Sequence, residues 1–155
     1  MPNGSPDFYE KDLPALEAFF APIADVLNRF ADRHNLMADH YYHQSPSWRY
    51  NFRHPNGGVA SIDVMKESAD SVKVHLYWWV DDYDRFTRFS RTSSSAEVRI
   101  GAVDLTSVLE EEFDRVLSWQ PGEWTHIASG YENSWGPMGR EWLEGDVERY
   151  PKPKV

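Results

Sequence analysis

The stretch that decides the fold runs from Trp48 to Met65: Trp48-Arg49-Tyr50-Asn51-Phe52-Arg53, then His54-Pro55-Asn56-Gly57-Gly58, then Val59-Ala60-Ser61-Ile62-Asp63-Val64-Met65. In the first segment aromatic residues alternate with polar ones, the period of a half-buried β-strand. The five residues that follow carry two glycines able to take positive φ, and they read as a hairpin loop. Pairing Arg53 with Val59 and counting outward sets Phe52 opposite Ala60, Tyr50 opposite Ile62 and Trp48 opposite Val64. On the other face Asn51 meets Ser61 and Arg49 meets Asp63. Apolar meets apolar and charge meets opposite charge, and a slip of one residue destroys both matches.

The pattern continues toward the C-terminus. Lys66 to Asp70 is a polar turn. Val72, Val74, Leu76, Trp78 and Val80 then alternate with Lys73, His75, Tyr77 and Trp79, so the even-numbered residues again form the core face. Asp63 is expected near Lys73 or His75, depending on the turn. Asp81-Asp82-Tyr83-Asp84 is the next turn. Residues 85–91 form an Arg-rich fourth strand whose phase the pattern does not fix. Ser93-Ser94-Ser95 interrupts it, and Ala96, Val98 and Ile100 suggest a short fifth strand.

Helices flank this meander. Leu16, Phe19, Phe20, Ile23, Leu27 and Phe30 recur at helical spacing, with Asp12 as N-cap and Pro14 in the first turn. Pro22 interrupts the run, and because the stripe keeps its phase a kink is expected rather than a split. Residues 35–47 are a connector without a readable period. Leu105, Val108, Leu109, Phe113, Val116 and Leu117 mark a second amphipathic helix, capped by Ser107 with Glu110 or a turn earlier by Asp104. Gln120-Pro121-Gly122 stops it. Residues 123–150 are aromatic, with a short helix expected near 137–148. Residues 1–12 and 151–155 read as flexible tails.

Helix, antiparallel meander of four to five strands, then helix: one apolar sheet face and two amphipathic helices to cover it imply a two-layer α+β sandwich over residues 1–155 as a single domain. Several families share that layout, the frataxin-like folds among them. The likeness is one of layout only, and no motif or residue role follows from it.

Composition narrows the function. The chain has 155 residues and 18.0 kDa, with 16 Lys and Arg against 25 Asp and Glu, a net charge of -9. That argues against duplex DNA or an anionic membrane as partner, since both need a cationic surface. There is no Cys, which excludes disulfides, thiolate catalysis and Cys-ligated metal. Seven Trp, eight Tyr and eight Phe supply a core that the aliphatics alone would not. No run of eighteen apolar residues exists, and Met1 to Glu10 has no basic or apolar region of a secretory signal, so a cytoplasmic location is expected.

Three constellations carry chemistry. Among His34, Asp39, His40, His43 and His54, the pair His40 and His43 at i and i+3 could share a helix face and hold a divalent metal with Asp39. The spacing matches no recognised ligand signature, and amphipathic packing accounts for it equally well. Asp81-Asp82-Tyr83-Asp84 could hold Ca²⁺ or Mg²⁺, but the EF-hand spacing is absent and Asp is common in turns because it caps local N–H groups. Glu110-Glu111-Glu112 reads as a solvated helix face, with Glu111 pairing Arg115.

The third is the outer sheet face, with Arg49, Arg53, His75, Tyr77 and Trp79 as candidate partner-binding residues beside Asn51, Ser61, Asp63 and Lys73. Aromatics interleaved with Arg can form a protein hot spot or stack single-stranded bases. The plainer reading is a cross-strand charge ladder with the C-terminal segment lying over Tyr77 and Trp79. No nucleophile elbow, phosphate loop, dinucleotide fingerprint or zincin helix is present, so no catalytic residue and no cofactor is assigned. The expected function is a small binding module for a protein partner, through this face or the acidic helices. A metal-dependent enzyme and a single-strand binder are the alternatives, and self-association into a homo-oligomer is compatible with the first.

Overall fold

The computed structural model describes residues 13–42, 46–82, 84–85, 87–101, 104–129 and 147–154. In chain order these are α1 (Leu13–Phe20), α2 (Ala24–His34), β1 (Met37–Tyr42), β2 (Pro46–Arg53), β3 (Val59–Ser68), β4 (Ser71–Asp82), β5 (Thr87–Ser94), β6 (Val98–Arg99), α3 (Leu105–Leu117) and β7 (His126–Ser129), with 3₁₀ turns at Ala21–Ile23 and Val147–Arg149. The strands form one antiparallel sheet in the order β1-β2-β3-β4-β5-β7, and β6 pairs the start of β4. The fold is α+β.

The hairpin adopts the register its residues dictate, with Arg53 opposite Val59, Tyr50 opposite Ile62 and Arg49 opposite Asp63. Its loop depends on Gly58, at φ +70°. A Cβ there would lie 2.1 Å from the Trp79 carbonyl oxygen, so the close passage of the loop over β4 admits only glycine. β4 then pairs β3 with Asp63 opposite His75, which settles that alternative; Lys73 faces Met65.

The pleat sends Trp48, Tyr50, Phe52, Ile62, Val64, Val74, Leu76 and Trp78 into one buried layer. The helices cover it. Phe20 meets Trp48 at 5.8 Å between ring centroids, Phe30 meets Tyr50 at 5.3 Å, and Phe113 meets both Phe30 and Phe52 at 5.7 Å. Burying each such ring stabilises the fold by about 1.5–3 kcal/mol. The Tyr50 hydroxyl donates to the Leu27 carbonyl at 2.6 Å, and burial pushes its pKa well above the usual phenol value.

Several expectations are corrected. Pro22 does more than kink the first helix: the 3₁₀ turn Ala21–Ile23 separates α1 from α2, because proline has no N–H for the ladder and its ring crowds the preceding turn. The stripe resumes in phase, so Leu16, Phe20, Leu27 and Phe30 are all buried. The connector contains a strand, β1, paired from Met37 opposite Asn51 to Tyr42 opposite Pro46. β7 adds an edge pairing β5 from Thr87 to Ser90. Among the described residues the sheet therefore has seven strands, not four or five. Both additions are edge strands, ordered by a neighbour's backbone rather than by their own period.

α3 begins at Leu105 with Asp104 at the N-cap position, and no side-chain capping bond is made there. The expected capping-box partner Glu110 instead binds Arg33 and His34 of α2. The Glu run is not one solvated face. Glu112 is buried, and it, rather than Glu111, contacts Arg115 at 3.3 Å. Burial pushes the Glu112 carboxyl up, and its Oε2 has no hydrogen-bond partner.

Residues 151–154, read above as a tail, are tied down. The backbone N–H of Arg53 donates to Pro151 O, Asn35 Nδ2 to Lys152 O, and the N–H of Lys154 to His34 O. Asp12 and residues 137–146 of the expected last helix lie outside the described residues, and 147–149 form a 3₁₀ turn. Among the described residues no helix is long and apolar enough to cross a membrane.

His54 closes the far end of the core. Its Nε2–H donates to Val116 O at 2.7 Å, its Nδ1 accepts from the Asn56 N–H, and its ring stacks on Trp78 at 4.1 Å. Burial holds its pKa below the ordinary value.

Two outcomes follow from this packing. Trp78 is fully buried between His54 and Trp124 and donates Nε1–H to Gly57 O, whereas Trp79 on the opposite face is half-buried. In urea denaturation Trp78→Ala should lose about 3–5 kcal/mol and Trp79→Ala at most about half that. Equal losses would mean that both sheet faces are equally buried. The second concerns pH. The folded state keeps His54 neutral, while the unfolded ring takes a proton below about pH 6.5. Its contribution is whole above that pH and is lost as pH falls toward the folded pKa. Between pH 7.5 and 5 the wild type should lose more stability than His54→Gln; parallel curves would refute the assignment.

Candidate functional site

The sheet face opposite the helices is set by the odd-numbered residues of β2 to β4. Cross-strand rows run Arg49-Asp63-His75-Ser94, then Asn51-Ser61-Tyr77-Thr92, then Arg53-Val59-Trp79-Ser90. A shorter row joins Asp81 to Arg88 and Ala128. All five candidate binding residues thus share one face, as the alternation predicts.

At the centre the rings of Tyr77 and Trp79 lie 5.0 Å apart and tilted by 33°. The Arg88 guanidinium sits over Trp79 at 5.5 Å from the ring centroid. Arg88 is fixed there by a two-point pair with Asp81, Nε at 2.7 Å and Nη2 at 2.8 Å. The Asp81 bonds hold the guanidinium's pKa above its ordinary value against the opposing effect of burial. Arg49 binds Asp63 in the same two-point way, at 2.8 and 2.9 Å, and the Asp63 side chain is only 5% exposed. His75 Nδ1 lies 2.8 Å from Ser94 Oγ.

Arg53 has a different task. Its Nε donates to Tyr150 O at 2.9 Å, so its side chain and its backbone N–H both hold the C-terminal strap. A cleft of about 90 Å³ opens beside the aromatic pair, lined by Gly58, Trp79, Val80, Asp81 and Val147. Sequence reading missed Arg88, because the phase of residues 85–91 was open. The signal available was charge: placing Arg88 opposite Asp81 gives β5 the same kind of match that Arg49 and Asp63 give the hairpin.

This geometry bears on what the face can bind. Arg49 and Arg88 are each neutralised by a carboxylate through two hydrogen bonds, and a nucleic-acid backbone needs cations to spare. An aromatic pair framed by fixed, neutral ion pairs suits an apolar or amphipathic protein surface.

His40, expected on a helix face with His43, lies in the strand β1 (Met37–Tyr42). The side chains of Asp39 and His40, and all of His43, lie outside the described residues. His34 and His54 are occupied by protein partners. His34 Nδ1–H donates to Lys154 O at 2.9 Å and its Nε2 meets Glu110 Oε2 at 2.7 Å. Among the described residues no three His, Asp or Glu are grouped to hold a metal. At the 81–84 turn Asp82 Oδ1 accepts the backbone N–H groups of Asp84 and Arg85, the ordinary capping role of a turn aspartate.

A chelated sample scanned with and without Zn²⁺, Mn²⁺ and Mg²⁺ should melt at one temperature. A metal held only by the native state would add about 2.7 kcal/mol at a hundredfold excess over its dissociation constant. Stabilisation by Zn²⁺ that disappeared in His40→Ala or His43→Ala would restore the metal reading.

Compared with known proteins, the chain matches no protein family, and no curated protein or solved structure is significantly similar to it.

Proposed function

We propose that the chain is a binding module that docks a protein partner on the outer sheet face, centred on Tyr77 and Trp79. The observation that carries this reading is the half-buried Tyr77–Trp79 pair, with Arg88 anchored over Trp79 by Asp81, on the sheet face opposite α2 and α3. Trp, Tyr and Arg are the residue types that dominate protein hot spots, and a preformed platform loses little entropy on binding. The cleft beside Trp79 has room for one small side chain of the partner. A single-stranded nucleic acid is the weaker reading, because Arg49 and Arg88 are already paired with Asp63 and Asp81. The zero Cys content and the acidic balance fit a cytoplasmic module that acts on neither duplex DNA nor a membrane, and a second copy of the chain is one form the partner can take.

The test compares wild type, Tyr77→Ala with Trp79→Ala, and the control Arg29→Ala on the exposed side of α2. A partner retained by wild type and control is reconstituted from purified components and titrated by calorimetry. The double variant should bind at least about tenfold more weakly, about 1.4 kcal/mol, while the control is unchanged. Equal affinity for all three would overturn the reading. Tight binding of oligo-dT with steep salt dependence would replace it with the nucleic-acid reading.

A further inference from the structure

A second concave site lies on the other side of the sheet, where α3 ends above β5. It is a cavity of about 370 Å³ whose lining includes Arg91, Thr92, Ser93, Arg115, Trp119 and Glu123. That volume lies within the range of small-molecule sites. Each side chain is placed by a different element. Arg91 sits opposite Trp78 on the helix-facing side of β5, and Arg115 is in the last turn of α3. β7 pairs β5 only as far as Ser90, and Thr125 Oγ1 takes the Thr92 N–H just beyond, so the notch opens where the ladder stops.

The two arginines differ from those of the outer face. Arg49 and Arg88 are each locked by two nitrogens. Arg91 meets Glu123 through Nη1 alone, at 2.6 Å, and Arg115 meets Glu112 through Nη2 at 3.3 Å. The Arg115 contact is longer than a charge-assisted bond of about 2.7–2.9 Å. The Glu123 side chain is 62% exposed, a partner that solvent can take over. Arg91 is nonetheless oriented, because its guanidinium lies 4.4 Å from the ring centroid of buried Trp119. With Nη1 on Glu123, its remaining N–H groups are donors suited to an oxyanion.

A helix C-terminus ordinarily repels anions through its bare carbonyls. Here three of those beside the cavity already accept hydrogen bonds. Arg115 O accepts the Ser118 N–H and Oγ–H, Val116 O accepts Nε2–H of His54 and the Trp119 N–H, and Trp119 O accepts Nδ2–H of Asn56. The cavity therefore presents two guanidinium groups and the hydroxyls of Thr92 and Ser93 beside the Glu123 carboxylate, while the Ser118 and Thr125 hydroxyls donate to Arg115 O and Ser90 O.

We infer that this cavity binds a small ligand bearing an oxyanion, a phosphate or a carboxylate group, held between Arg91 and Arg115, with Glu123 as the internal group it displaces.

The test uses the full chain and two probes, inorganic phosphate and citrate, with sodium chloride matched for ionic strength. Binding is followed by calorimetry and by the arginine Nε–H signals in ¹⁵N-resolved NMR. One or both probes should bind saturably and move the Arg91 and Arg115 signals, which chloride leaves in place. Arg115→Gln should weaken binding at least about tenfold. Glu123→Gln should tighten it by freeing Arg91, and Arg29→Gln, outside the cavity, should leave it unchanged. A response to phosphate alone identifies a phosphate ester as the ligand class, and to citrate alone a carboxylate. The inference is overturned if neither probe shifts the signals beyond chloride, or if Arg115→Gln binds like wild type. Arg115→Gln also removes the cation beside buried Glu112, so its fold is checked by circular dichroism at the assay temperature, where a native spectrum separates lost binding from lost folding.

Discussion

The two-residue period of the pleat, enforced across β2, β3 and β4 in one register, is the constraint on which the rest of the structure depends. It puts Tyr50, Ile62 and Leu76 in one row beneath the helices and Arg49, Asp63 and His75 in another on the opposite side. The apolar row needs a cover, which is why α2 and α3 dock there. In the polar row Arg49 and Asp63 satisfy each other, which lets the Asp63 carboxylate be buried. The same alternation therefore builds the core and prepares the surface.

Polar groups inside the core fix how the layers meet. The Tyr50 hydroxyl reaches the Leu27 carbonyl on α2, and His54 reaches the Val116 carbonyl on α3. A hydrophobic layer alone would let the helices slide, whereas each of these buried bonds is satisfied in one position only. His34 plays a comparable part at the other end, joining α2 to Glu110 of α3 and to the C-terminal strap. The strap ties back to Arg53, so the end of the chain is fastened to both the sheet and the first helical layer.

Four arginines show how context divides one residue type among several tasks. Arg49 and Arg88 are bound at two points and serve as fixed parts of a surface. Arg53 holds backbone carbonyls. Arg91 stacks on an indole with a single carboxylate contact. The value of each as a recognition group follows from how many of its donors the protein has already used.

Much of this was legible in the residues. The hairpin register, the apolar face of β4 and the stripes of α2 and α3 rest on local periodicity, and each residue in them interacts with neighbours at a fixed offset in the chain. That all five candidate residues of the outer face lie together follows from the same alternation. β1 and β7 were not legible, because an edge strand receives its hydrogen bonds from a neighbour and needs no pattern of its own. Nor was the cavity, whose arginines are 24 positions apart in the chain and share no motif. Glu112 looked like its exposed neighbours until packing buried it. The sequence by itself determined the α+β class, the strand register and the two faces, since these follow from periodic side chains on a regular backbone. Only the tertiary structure decided which histidines are spent on backbone carbonyls, where the sheet ends, and which arginines keep donors to offer, since these depend on contacts between residues far apart in the chain.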